Sequence, residues 1–429
     1  MNIAYLTADF GVPIFGYKGA SIHVREMVGA LRRAGHAVCI ISPAVDEGKE
    51  GRGKSAAESS LPRVMKSLAG TDLLPVLPPE RLAQLLEDFE KLDKFMGMKT
   101  RLRQEVRNLL YNLALHEKAL AHLQRQPVDF IYERYTLFSF AGIRLARALG
   151  VPHILEVNAP LAYEQEKNRG LEMKALAAET ERRIFRETDR VVVVSRQLQE
   201  FVASCGVPAA RIHLLPNAVD PQHFVVADHG QAVRAKYQLD GKRVIGFVGS
   251  LKPWHGVETL FEAFRALHAK APDTHLLIVG DGPKREALEQ FAQAGGLKDA
   301  VTFAGNIAYD DVPPHIAAMD IAVAPYIPHE NFYYSPIKIF EYMVMGKPVV
   351  AGRIGQVEEI IADGETGILF EPGNIEQLAA VLTKLAADGS LCRHLGEKAS
   401  VWVRQERTWD NNARQVVAMA EELLEQRKM

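Results

Sequence analysis

The segment YYSPIKIFEYMVMGKPVV, residues 333–350, sets Lys338 and Glu341 three residues apart, just after a serine–proline pair. Ser335 can cap a helix, because its hydroxyl can accept a backbone N–H of the first turn. Pro336 suits the first helical position, where its missing N–H costs nothing. A helix opening at Ser335, Pro336 and Ile337 presents free N–H groups and the positive end of its dipole, which together make an anion site. Lys338 adds a full positive charge to that end. Glu341 follows one turn later. A carboxylate accepts hydrogen bonds only, and so suits a diol such as a ribose. A phosphate at the helix end with a ribose beside it would use both residues. A surface ion pair would use the same spacing, so other segments must decide between the two.

Several loops point the same way. GFVGSLKPWHG leaves a strand and enters a helix, carrying Gly249, Ser250, Lys252 and His255. IVGDGPKREALE repeats the strand–turn–helix order around Gly282, and TFAGNIAYDDVP sets Asn306 and Ile307 after a strand. In the first half, PIFGYKGASIHVRE offers Gly16 and Gly19 before a helix, where backbone N–H groups can approach a phosphate or sugar. Each signal is weak alone: a turn, a cap or a surface histidine would read the same. Together they follow strands at their carboxyl ends, where open α/β sheets bind ligands.

The elements that must position these residues are legible as alternating strands and helices. NIAYLT is followed by SIHVREMVGALRRAGHAVCIIS, in which Ile22, Val24, Met27, Val28 and Leu31 share a helical face, Gly35 stops the helix and AVCIIS forms the next buried strand. The same order returns at RVIGFVGS, VETLFEAFRALHAKAP and THLLIVG. Strand, helix and parallel strand form one crossover unit, and two such starts predict two doubly wound α/β domains. FIYER, HILEVN, RVVVVS, IHLLPN, VTFAG, IAVAPY and PVVAG read as further strands. Residues 46–79, rich in Gly, Ser and Pro, read as a loop, and 80–124 as two amphipathic helices broken at Gly97.

Composition limits the function classes. The 429 residues exceed one core and suit two or three domains, and 48% apolar with 24% charged residues is ordinary for a globular protein. A net charge of −2 argues against a nucleic-acid partner. Cys39, Cys205 and Cys392 are far apart and show no metal-ligand spacing, which fits a reducing compartment. No signal peptide or membrane-length apolar run is evident, so a cytoplasmic location is expected, with peripheral contact to a membrane surface left open.

With these residues in view, FYYSPIKIFEYMVMGKPVVAGRIGQVEEIIADGETGILFEPGN resembles the nucleotide-sugar end of retaining glycosyltransferases of family 4, in the subgroup with an SP-x-K segment before the ribose-binding glutamate. The resemblance extends to YERYTLFSFAGIRLARALGVPHILEVNAP, VVVVSRQLQEF, LLPNAVDPQHF, GFVGSLKPWHGVETLFEAF, IVGDGP and RTWDNNARQVVAMAEELLEQ, and so covers nearly the whole chain. It implies the GT-B fold, two Rossmann-like domains facing a cleft. The acceptor-side domain would span residues 1–218, with a helical insertion at about 80–125, and the donor domain 219–407. Residues 408–429 would form a helix crossing back to the first domain.

The resemblance also implies transfer of a sugar from a nucleoside diphosphate sugar to a hydroxyl acceptor (a glycan, a lipid-linked sugar or a small molecule) with retained configuration. No cofactor or metal is expected, and the chain has no Asp-x-Asp triplet. An epimerase of the same fold, or a nucleotide-sugar-binding protein without catalysis, are the alternatives. Glu341 matches the second glutamate of the family's signature and would bind the ribose. Tyr333 stands eight positions earlier, where the family has its first glutamate. Ser250 and His255 occupy the places of the arginine and lysine that hold the diphosphate, so Lys252 and Lys338 are the expected substitutes. Asn158 stands where many relatives carry a histidine near the sugar, and joins Lys252 and Lys338 at the reacting centre as a group that does not move protons.

Overall fold

The computed structural model describes residues 1–16, 18–45, 68 and 70–428. Of these, the residues up to Pro216 and from Asp410 onward form one compact unit, and Asn217–Trp409 form a second.

The first unit is built on a seven-stranded sheet: β1 (Asn2–Thr7), β2 (Ala37–Ser42), β3 (Asp72–Pro75), β4 (Phe130–Arg134), β5 (His153–Val157), β6 (Arg190–Val193) and β7 (Ile212–Leu214). The order is β3-β2-β1-β4-β5-β6-β7, and every pair is parallel. The central strands are near-continuous apolar runs because helices cover both faces of a parallel sheet. One expectation fails here. Within the segment read as a loop, Asp72–Pro75 is strand β3, paired with β2 from Cys39↔Asp72 to Ser42↔Pro75. Its two leucines are too short a run to show a period, and only the backbone ladder to β2 defines it as an edge strand. Within the same segment, 46–67 and 69 lie outside the described residues.

The helical insertion is the pair Glu80–Met96 and Leu102–Leu123, and the first of these ends on Gly97 in the left-handed conformation. The last helix, Trp409–Gln426, belongs with the first unit. It buries Val416, Val417, Met419 and Leu423. Asp410 pairs with Arg33, Arg427 with Asp189, and the Asn412 amide donates to the Pro216 carbonyl.

The second unit carries β8 (Arg243–Val248), β9 (Thr274–Val279), β10 (Val301–Gly305), β11 (Ile321–Ala324), β12 (Val349–Gly352) and β13 (Ile368–Phe370). Their order is β10-β9-β8-β11-β12-β13, again all parallel. Alternate residues feed two cores. Val244, Val248, Ala322 and Ala324 join Ile339, Phe340 and Met343, while Ile245, Phe247, Ile321 and Val323 join Val257, Leu260 and Phe264. Both sheets reverse direction of growth at one point, between β1 and β4 and between β8 and β11. Such switch points open a crevice at the carboxyl ends of the strands.

Inside the first unit, Glu133 and His153 form a fully buried pair at 2.8 Å, with Ser139 donating to the second carboxylate oxygen at 3.0 Å. The helix Ala141–Leu149 passes so close that a Cβ on Gly142 would lie 2.0 Å from Glu133 Oε2 and 2.9 Å from His153 Nε2. Gly142→Ala should therefore break the pair, at a cost on the order of 1–3 kcal/mol for a buried polar group left unsatisfied. Calorimetry should show a lowered transition for this unit, and an unchanged melting profile would contradict the packing described.

Candidate active site

The helix holding Lys338 and Glu341 spans Ile337–Val344. It is locked onto the end of β8 by Tyr342, a buried residue whose hydroxyl accepts the Val248 N–H at 2.7 Å. Its first residues differ from expectation. Pro336 is the capping residue, with no side-chain cap bond, and the helix proper begins at Ile337. Ser335 is spent elsewhere. Its hydroxyl accepts the Asn217 N–H at 3.0 Å, and its carbonyl accepts the Asn217 side chain at 2.8 Å. The serine thus pins the segment that enters the second unit, and the first-turn N–H groups of the helix receive no side-chain cap.

Lys338 projects onto the switch point. Its Nζ lies 4.2 Å from the centre of the Phe247 ring, on β8, and 5.7 Å from that of Tyr326, just past β11. A Cβ on Gly249 would stand 2.5 Å from this Nζ, so only glycine admits the ammonium. Gly280, in turn, packs against the Gly249 carbonyl, where a Cβ would lie at 2.0 Å. The loops after β8 and β9 therefore meet backbone to backbone, with Gly249 at φ 142° and Gly280 at φ 131°. Lys338 keeps some exposure along its stem, while its Nζ is buried with no hydrogen-bond partner.

This is an unusual state for a cation. A desolvated cation–π contact offsets about 2 kcal/mol, whereas burying an ion costs several kcal/mol. Burial wins, and the Lys338 pKa falls to about 7 despite the attraction of Glu341. Lys347 provides a contrast from the same region. It is also largely buried, but its Nζ donates to the Ala317 and Met319 carbonyls at 2.8 and 2.7 Å. Lys347 is satisfied as structure, and Lys338 is not.

Glu341 is buried, and burial lifts its pKa to about 7 against the pull of Lys338 and a hydrogen bond from Tyr309. Tyr309 stacks on His223, ring centres 4.6 Å apart, and His223 meets Phe224 edge-on. Neither Tyr309 nor His223 was singled out from the sequence, although Tyr309 lies in TFAGNIAYDDVP and His223 in LLPNAVDPQHF, one of the segments that carry the resemblance. A buried carboxylate needs a donor, and that need could have pointed to the tyrosine.

His255 differs from its expected role. Its Nδ1 bonds the Ser250 carbonyl, which can only accept, so Nδ1 carries the proton. Burial, then the nearby charge of Lys338, lowers its pKa to about 3. The ring is neutral in this state, and charge comes from the lysines on either side of it. Lys252 acts on the same ring electrostatically; it is exposed and stands over Trp254 at 4.9 Å.

Gly282 packs on the Leu251 backbone, where a Cβ would lie 2.7 Å from its nitrogen, beside the same loop. Ile307 packs partly buried against the core, and Asn306 is exposed after β10. Tyr333 is partly buried and edge-on to Tyr334, whose buried hydroxyl also lacks a partner.

The expected residues of the first unit form their own group. Gly16 accepts the Arg25 guanidinium through its carbonyl, while Gly19 is exposed and opens the helix Gly19–Arg33. Asn158 donates to Glu156. Glu156, unnoticed in the sequence, is fully enclosed by His23 at 2.6 Å, Arg134 at 3.3 Å and the Tyr132 hydroxyl at 2.6 Å. Desolvation pushes its pKa up, and these partners outweigh it, holding the carboxyl down at about 2. Asn158 thus reads as a side chain oriented by a permanent carboxylate.

Comparison with known proteins agrees with this architecture. Residues 17–223 match the model described as Glycosyltransferase Family 4, and residues 242–388 match Glycosyl transferases group 1. The chain is 29% identical over 268 residues to an alpha-D-kanosaminyltransferase of Streptomyces kanamyceticus, covering 61% of this chain and 68% of that one. It is also 29% identical over 248 residues to a GDP-mannose-dependent alpha-(1-6)-phosphatidylinositol monomannoside mannosyltransferase of Mycobacterium tuberculosis, covering 57% of this chain and 64% of that relative. The structure of Anabaena HepE in complex with UDP superimposes with a TM-score of 0.72 at 18% identity, covering 98% of this chain and all of that one. The chain belongs to the glycosyltransferases of the GT-B fold. Among the described residues no helix is long and apolar enough to cross a membrane.

The two shifted groups give opposite pH slopes. Lys338, with its pKa depressed to about 7, contributes stability only at high pH, and loses it as pH falls through 7. Glu341, raised to about 7, contributes stability at low pH, and loses it as pH rises through 7. Lys338→Met removes the first slope. The Tm of nucleotide-free variant minus wild type should therefore shrink as pH rises from 7 to 10, read by scanning fluorimetry. A difference constant across that range would show that the amine is not desolvated.

Proposed function

We propose that this chain transfers a hexose-type sugar from a nucleoside diphosphate sugar to a hydroxyl acceptor, with retained configuration and without a divalent metal or other cofactor. The observation that carries the proposal is the Lys338 ammonium, buried without a hydrogen-bond partner at the switch point of the second unit. A diphosphate placed there would supply the missing acceptors and restore the full charge of the lysine. As the glycosidic bond breaks, negative charge grows on the diphosphate. A fixed cation in a water-poor site then stabilises the transition state more than the bound donor.

Other groups extend the same site. Lys252 adds a second cation from the loop after β8, and the uncapped first turn of the helix Ile337–Val344 adds N–H donors. A bound diphosphate would also favour protonation of His255, whose Nδ1 is already held by Ser250. Glu341, one turn beyond Lys338, would accept from the ribose hydroxyls. The Anabaena structures with UDP and UDP-glucose support a nucleoside diphosphate sugar as donor. The relatives named as alpha-transferases support retention.

Glu341→Ala should weaken binding of the free nucleoside diphosphate by about 1.5–3 kcal/mol, the range for hydrogen bonds to a charged group. Titration calorimetry with UDP and with GDP measures it, and unchanged affinity in a folded variant would remove the ribose assignment.

Turnover followed by proton NMR tests the chemistry. An α-linked donor should give an α-linked product, at a rate that survives exhaustive chelation with EDTA. A β-linked product would contradict retention, and activity restored only by Mg²⁺ or Mn²⁺ would contradict charge neutralisation by protein groups.

A further inference from the structure

The cysteines show no metal-ligand spacing along the chain, yet the fold gives one of them metal-ligand company. Cys39 on β2 and Asp72 on β3 are direct partners in the parallel ladder. His122, next to last in the helix Leu102–Leu123, reaches over the same edge of the sheet. Cys39 Sγ lies 3.6 Å from His122 Nε2, and Asp72 Oδ2 lies 2.9 Å from that same nitrogen. All three ligand atoms fall within 4.8 Å of one another.

Both contacts converge on one nitrogen. A nucleophile relay needs the two different ring nitrogens, one facing the thiol and the other the carboxylate. Convergence on a single point is what a bound ion requires. Tetrahedral zinc, with Zn–S about 2.3 Å and Zn–N about 2.0–2.1 Å, separates sulfur from nitrogen by about 3.6 Å. That is the spacing found. The nitrogen–oxygen gap in such a site is about 3.3 Å, so the carboxylate must retreat by about 0.4 Å. Asp72 can do so, because its side chain is 45% exposed. The thiol is buried and the other two ligands open to solvent, which leaves an entry path and room for a water as fourth ligand.

We propose that Cys39, Asp72 and His122 form a binding site for one zinc-type divalent ion that clamps the edge strand β3 to β2 and to the helix Leu102–Leu123. The thiol proton leaves to solvent as the Sγ–metal bond forms, so charge and atoms balance. The site involves no residue assigned to the donor and stands apart from the sugar-transfer reading.

Co²⁺ is the probe, added to the full chain after removal of adventitious metal. One equivalent should produce a near-ultraviolet thiolate-to-cobalt charge-transfer band. Cys39→Ser should lose that band while keeping the metal-free Tm of wild type. Zn²⁺ should displace the cobalt and raise the Tm of wild type but not of Cys39→Ser. Asp72→Asn, a change at an exposed position, should weaken zinc binding by about tenfold or more. No charge-transfer band in wild type, or a band that persists in Cys39→Ser, overturns the proposal.

Discussion

The second unit is organised around one unfavourable interaction. An ammonium group has been taken out of water at Lys338 and given two aromatic faces but no acceptor. The rings cannot offset the desolvation, so the free protein carries an amine poised to take up a proton when an anion arrives. The surrounding structure maintains this state. Glycine at position 249 leaves room for the ammonium, and glycine at 280 lets the loops after β8 and β9 pack against each other. Tyr342 fixes the helix register by bonding the last residue of β8, and the apolar side chains Ile339, Phe340 and Met343 bury the opposite face of that helix.

The first unit handles a buried charge in the contrary way. Glu156 is as desolvated as Lys338, but two cationic or ionisable neighbours and a tyrosine surround it, and its charge is permanent. Such a carboxylate is suited to orient a neighbour such as Asn158, because it has nothing left to bind. Similar sheets thus carry a satisfied anion in one unit and an unsatisfied cation in the other.

Much of this was legible in the sequence. Period and punctuation gave β1, β2, the strands from β4 to β12 and the helix pair broken at Gly97, because long apolar runs leave little choice of burial. The spacing of Lys338 and Glu341 placed both residues on one helix, Ile337–Val344, as the structure has them. What remained hidden depended on contacts far apart in the chain. The use of Ser335 to hold Asn217 could not be separated from capping, since one hydroxyl serves either role. The neutral state of His255 follows from burial and from a lysine of another element, which together outweigh the bond to a carbonyl five residues away. β3 exists only through its ladder to β2, and the approach of Cys39 to His122 spans residues that no linear motif connects.

The central claim is that Lys338 is held ready for a diphosphate. Titration calorimetry of UDP and GDP, run near pH 8 in buffers of different ionisation enthalpy, measures this directly. The account predicts net proton uptake on binding to wild type. In Lys338→Met it predicts that most of that uptake is lost, together with a clear drop in affinity for the diphosphate. Binding to Lys338→Met with wild-type affinity and the same proton uptake would contradict it.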